Sequence, residues 1–229
     1  MSYGYRHLMH IALSAIFAAM AILPAQARTP LRILSIGNSF STDALGYLPP
    51  LMRHIAPDVD LTLGIAYRGS FTLKNHWERG VEQSAVYADL FKFSPETAYW
   101  YDDIPPWSFG LWYAIQSEPW DIVVLQEGSA NSRDYNLYQP YLDNLVNWLD
   151  SLAVKPFELA WLLTPAYPDG SPYATSTSRE MITDIIGAAR QVMANTRATL
   201  LLPCGTALEN ARTTRLDSVG TFGHLSSDC

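Results

Sequence analysis

Basic charge, cysteine and histidine are all scarce in this chain, and each scarcity removes a class of function. Fifteen Lys and Arg stand against twenty-two Asp and Glu, a formal net charge of −7. Nucleic acid needs a basic surface to replace its counterions, so it is an unsuitable partner. Cysteine occurs twice, as Cys204 and Cys229, which excludes a disulfide-dense scaffold and leaves one pairing open. Cys229 ends the sequence, so its partner could also lie elsewhere. No His/Cys/carboxylate cluster has metal-ligand spacing and no glycine-rich phosphate loop is present, so neither a metal nor an organic cofactor is expected. Lys/Arg runs, heptads, internal repeats and low-complexity tracts are also missing.

Long apolar runs are confined to the start. Arg6 and His7 precede Leu8 to Leu23, apolar apart from His10 and Ser14. Ala25 and Ala27 then place small residues three and one positions before Arg28, the pattern signal peptidase accepts. Residues 1–27 are therefore expected to be a signal peptide, with an uncleaved membrane anchor as the alternative. The expected product is a secreted or periplasmic protein with no stable membrane insertion after cleavage. The remainder, 28–229, is long enough for one domain with a sizeable core.

Apolar runs alternate with helical patterns along that remainder. Leu31 to Ile36, Val59 to Ala66, Asp121 to Gln126, Phe157 to Leu163 and Ala198 to Leu202 read as five strands. The third is almost continuously apolar, as buried parallel strands are. Helices are expected over Thr42 to Ile55, bent or broken by Pro49-Pro50, over Tyr141 to Leu152, and over Ser178 to Asn195. Five βα units predict a three-layer α/β/α sandwich around a parallel sheet of about five strands. Residues 70–120 fit least well. They are rich in aromatics, among them Trp107, Trp112 and Tyr113, and read as an insertion between strands two and three. Those aromatics are expected to serve as core more than as a ligand platform, and Trp107 to Gln116 as a short helix.

Open α/β sheets place their active sites beyond the carboxyl ends of the strands. Strand one ends in Gly37-Asn38-Ser39-Phe40-Ser41. A serine on a turn into a helix can act as a nucleophile, because helix-end N–H groups stabilise charge on the reacting oxygen. Ser39 or Ser41 could equally be an ordinary helix cap. Gly69 follows strand two, an N–H donor with no side chain in the way, or simply a turn residue. Gln126-Glu127-Gly128-Ser129-Ala130-Asn131 follows strand three, and its amides could donate to an oxyanion or bond to nearby backbone. Glu127 reads as a surface or supporting acid.

Ile36-Gly37-Asn38-Ser39-Phe40-Ser41 resembles the first block of the SGNH (GDSL-type) hydrolases, with Asn38 where many members carry Asp. The resemblance extends over nearly all of the chain after residue 27. Pro203-Cys204-Gly205-Thr206-Ala207 through Asn210-Ala211-Arg212 resembles a bacterial branch of the same superfamily. It implies the flavodoxin-like SGNH fold, Ser39 as nucleophile with its own N–H as one oxyanion donor, and Gly69 as a second. The third donor, from a Gly-x-Asn-Asp block, falls on Asn131 or Gln126, because Gly128-Ser129-Ala130-Asn131 sets Asn one place late.

The last block, Asp-x-x-His, implies a histidine base oriented by aspartate. After residue 27 the histidines are His54, His76 and His224. His224 has the right location, but Thr221 stands where Asp is expected, and Asp217 has another spacing. In a second reading Asp228 is the Asp of the block and its His falls beyond Cys229, which leaves the nucleophile without its base in this chain. The helix that closes the family fold is not legible here.

The resemblance implies an exported serine esterase that removes acyl groups, acetyl first among them, from a small-molecule or polysaccharide ester, the sugar substrate resting also on export and the aromatics. An acyltransferase would use the same residues. A non-catalytic carbohydrate-binding or surface protein on a degenerate hydrolase fold is the reading from another class.

Overall fold

A computed structural model describes residues 28–82, 89–93, 110–129, 131–212 and 214. The chain forms β1 (Thr29–Gly37), α1 (Ser39–Leu45), α2 (Leu48–Ile55), β2 (Val59–Tyr67), α3 (Leu73–Asn75) running into a π-helical segment (His76–Glu82), and β3 (Asp89–Phe93). Then come α4 (Leu111–Gln116), β4 (Ile122–Leu125), a 3-10 turn (Tyr135–Tyr138), α5 (Tyr141–Leu152), β5 (Glu158–Leu162), α6 (Ser178–Asn195), β6 (Leu200–Leu202) and α7 (Cys204–Ala211). Among the described residues no helix is long and apolar enough to cross a membrane.

The strands make one sheet in the order β3-β2-β1-β4-β5-β6. Five are parallel, and β3 adds antiparallel to β2 at one edge. The five parallel strands are those expected, each displaced by at most two residues at its ends. The sixth was not anticipated. Asp89–Phe93 is short and carries Lys92, so its strand state comes from pairing with β2 and not from its own periodicity.

Side chains alternate across the strands, as a pleated strand requires. Leu34, Ile36, Val123, Leu125, Leu159 and Trp161 face one layer, which α4, α5 and α6 cover. Ile33, Leu63, Ile65, Val124, Ala160 and Leu162 face the other, covered by Phe40 and Leu45 of α1 and by Met52 of α2. The result is a three-layer α/β/α sandwich. Gly64 belongs to this packing: a Cβ there would lie 2.7 Å from the Trp120 ring.

The stretch expected as one bent helix, Thr42 to Ile55, is two helices. Pro49 and Pro50 lie in the first turn of α2, where a missing N–H costs nothing because first-turn donors have no partner inside the helix. The prolines therefore start α2 instead of breaking it. Within the aromatic-rich 70–120, α4 begins at Leu111, and Trp112 and Tyr113 are 46% and 37% exposed. Those two are surface residues, not core; Trp107 lies outside the described residues.

Candidate active site

β1 sits between β2 and β4, so the chain leaves it in opposite directions across the sheet. Such a reversal opens a crevice at the carboxyl ends of the strands. Ser39 stands there, at the first position of α1, and is 7% exposed.

Asn38, the residue before it, caps the helix: its Oδ1 accepts from Phe40 N at 3.0 Å. The cap is therefore neither Ser39 nor Ser41, and Ser39 reaches its position without a capping role for its own hydroxyl. Asn38 is 2% exposed and does two more things. Its Nδ2 donates to Phe71 O (3.0 Å), and its Oδ1 also accepts from Gln126 Nε2 (2.6 Å). One side chain thus ties the ends of β1, β2 and β4 together.

Ser41 completes the brace. Its hydroxyl, fully buried, donates to Gln126 Oε1 (2.7 Å) and accepts from Ser35 Oγ (2.9 Å). Gly37 lies beneath this network; a Cβ there would sit 2.4 Å from Ser41 Oγ and 2.7 Å from Gln126 Cδ. Glycine is required at residue 37 for space.

The second wall follows β2. Arg68 N donates to Gly37 O (3.0 Å), which seats Gly69 beside the Ser39 turn. Ser70 has φ 59°, a left-handed conformation rare outside glycine. Such strain is held only where neighbouring structure over-determines it. Here Glu127 does much of that: its Oε1 accepts from Leu73 N (3.1 Å) and from Gly128 N (2.6 Å). Gly128 packs against the same loop, with space for a Cβ closed by Phe71 O at 3.0 Å and by Thr72.

Glu127 is 1% exposed, the supporting acid of the two expected alternatives and not the surface one, and its Oε2 has no hydrogen-bond partner among the described residues. Burial pushes its carboxyl up to about 8, against the pull of the two backbone N–H groups. At neutral pH it is mainly protonated.

The two candidates for the third oxyanion donor have different surroundings. Gln126 is 1% exposed, with its amide nitrogen on Asn38 and its amide oxygen on Ser41. Asn131 is half-buried at the end of a turn whose Asn131 N donates to Gly128 O (3.0 Å), and no bond of its side chain occupies it among the described residues.

Of the histidines, His54 is exposed in the last turn of α2. His76 is 1% exposed, with its ring edge-on to Phe71 at 5.4 Å, and burial lowers its pKa to about 3. It stays neutral throughout the physiological range. His224, Asp228, Asp217, Thr221 and Cys229 lie outside the described residues, as does the segment 1–27. Cys204, at the start of α7, has no disulfide partner among the described residues, and burial raises its pKa.

α7 packs against the carboxyl end of β5 so closely that a Cβ on Gly205 would lie 2.2 Å from Thr164 O. At its far end Arg212 donates to Ala166 O (2.6 Å) and pairs with Glu209, which in turn accepts from Ser178 Oγ (3.2 Å).

The match to known families is decided over most of the sequence. Residues 32–226 fit the model of the domain of unknown function DUF4886. The chain belongs to the DUF4886 family. A crystal structure of a DUF4886 family protein from Bacteroides uniformis is similar to it at 26% identity and a TM-score of 0.70, over 82% of this chain and 73% of that one. A protein from Slackia heliotrinireducens, provisionally assigned as an SGNH hydrolase, is similar at 19% identity and a TM-score of 0.52, over 80% of this chain and 83% of that one. The second likeness establishes a shared α/β fold. Among curated proteins, none matches this DUF4886 chain.

What the sequence did not disclose is the set of bonds that braces the Ser39 turn. Ser35 carried a signal, as a polar residue inside the apolar run Leu34-Ser35-Ile36. The triple role of Asn38 carried none, because its partners Phe71 and Gln126 are 33 and 88 residues away.

Proposed function

We propose that this chain is a serine hydrolase acting on ester bonds. The observation that carries the reading is the position of Ser39: first residue of a helix at the switch point of a parallel sheet, with the turn before it braced by Asn38, Gln126 and Ser41. A braced turn holds an attacking oxygen in place, which is where much of the benefit of an active site arises. Ser39 attacks the ester carbonyl, and the backbone N–H groups of Ser39 and Gly69 receive the developing oxyanion. Asn131 is the better third donor, because the Gln126 amide already serves Asn38 and Ser41.

The base is His224, in the segment after α7; it takes the Ser39 proton, returns it to the leaving alcohol, and then activates the water that releases the acyl group from Ser39. The packing of α7 against the carboxyl end of β5, from which the chain runs on into that segment, supports this. Export and an acetylated carbohydrate substrate are the finer part of the proposal, supported by the apolar N-terminal run and by the exposed Trp112 and Tyr113. Labelling with a fluorophosphonate tests the nucleophile directly. A single adduct, mapped by peptide mass spectrometry to Ser39 and absent from Ser39→Ala, is the expected result; an unlabelled or elsewhere-labelled chain removes the proposal.

A further inference from the structure

Arg68 and Arg79 differ from most of the other cations described. Arg28, Arg32, Arg133, Arg197 and Arg212 each pair with a carboxylate. Arg68 and Arg79 have no carboxylate partner among the described residues, in a chain whose net charge is −7. Both are exposed, and both lie over one ring: the guanidinium carbons are 5.9 and 5.6 Å from the centroid of Phe71.

Their place is as informative as their pairing. Arg68 N is bonded to Gly37 O and Phe71 O to Asn38 Nδ2, so both ends of this short loop are fixed to the turn that carries Ser39. The acids nearest in sequence are otherwise engaged. Glu78 pairs with Lys74 (3.6 Å), Glu82 accepts from Trp77 Nε1 (2.7 Å), and Glu127 is buried beneath the loop. A guanidinium held over an aromatic face keeps its N–H edge available, and that edge matches an oxyanion with two parallel bonds.

We infer that Arg68 and Arg79, carried on Phe71 beside the nucleophile turn, bind an anionic group of the substrate, so that the preferred ester is one borne on an acidic sugar. Carboxylate and phosphate share the chemistry the two forks recognise. This inference rests on the esterase reading for the word ester, and on the arginines alone for the anion.

Calorimetric titration of the full chain carrying Ser39→Ala tests it without turnover, with trigalacturonate, maltotriose phosphate and neutral maltotriose as probes. The expected result is that one of the acidic probes binds at least tenfold more tightly than maltotriose. Adding Arg68→Gln and Arg79→Gln, with folding checked by circular dichroism, brings that probe to the level of maltotriose. The probe that responds tells carboxylate from phosphate. Acidic probes bound no better than maltotriose, or bound equally after both arginines are replaced, overturn the inference. Hydrolysis of p-nitrophenyl acetate by the unaltered chain, a neutral ester, reports on the esterase reading separately: activity there with no anion preference sinks this inference alone, and anion binding without activity sinks the esterase alone.

Discussion

Gln126 Nε2 donates to Asn38 Oδ1 at 2.6 Å, and that bond fastens the end of β4 to the residue before Ser39. The same Gln126 accepts from Ser41 at 2.7 Å. Both bonds are inaccessible to water, so removing the amide leaves a buried hydroxyl donor without its acceptor. Gln126→Leu should destabilise the chain by about 2–3 kcal/mol. If Ser39 acts as proposed, it should also lower kcat more than it raises KM, because it loosens the Ser39 turn without removing a group that would contact substrate. Chemical denaturation and steady-state kinetics on a chromogenic acetate ester check both.

Asn38 separates two of its roles cleanly. Its Oδ1 accepts from Phe40 N and from Gln126, whereas its Nδ2 donates to the carbonyl of Phe71. Aspartate, found at the matching place in many SGNH hydrolases, keeps the first role and sets an oxygen against the Phe71 carbonyl. Asn38→Asp should therefore cost about 1–3 kcal/mol at neutral pH. The loss should shrink as pH falls toward about 4, the ordinary Asp value, and be smallest below it, because the buried site favours a protonated Asp that again donates. Thermal melts of the two proteins across that range measure it.

How far the sequence revealed this arrangement depends on the range of the forces involved. The five parallel strands and the helices Tyr141–Leu152 and Ser178–Asn195 follow from apolar periodicity, which is local, and they were legible almost to the residue. The turn Gly37-Asn38-Ser39 from β1 into α1 was legible because a Gly-Asn-Ser step out of a buried strand is a local pattern too. β3 was not, since an edge strand holding Lys92 depends on β2 for its state. Nor was the burial of Glu127: its partners are Leu73, on another element, and its own neighbour Gly128. The brace around Ser39 joins residues 85 and 88 apart, and no pattern within one segment announces it.

Glu127 and His76 give the fold a defined response to pH. The Glu127 carboxyl is raised from 4.5 to about 8 by burial, so the native state holds a proton that the unfolded chain releases. Its contribution is complete below about pH 4.5 and is lost as pH rises toward 8. His76 is lowered from 6.5 to about 3, also by burial, so its contribution is complete above 6.5 and is lost as pH falls toward 3. From these two groups, stability should be level between about pH 4.5 and 6.5 and decline on both sides. Glu127→Gln keeps an acceptor for Leu73 N and Gly128 N and removes the alkaline decline. Melting temperatures of the variant should match the parent near pH 4 and exceed it at pH 8; a variant less stable at pH 8 would contradict the assignment.

The most direct test of the central claim is hydrolysis of p-nitrophenyl acetate by the chain and by Ser39→Ala, with circular dichroism and melting showing that both fold alike. Measurable turnover is expected in the parent and a fall of at least a hundredfold in the variant, in keeping with the loss of an activated nucleophile. Equal rates in the two proteins, or no turnover in the folded parent, would contradict it.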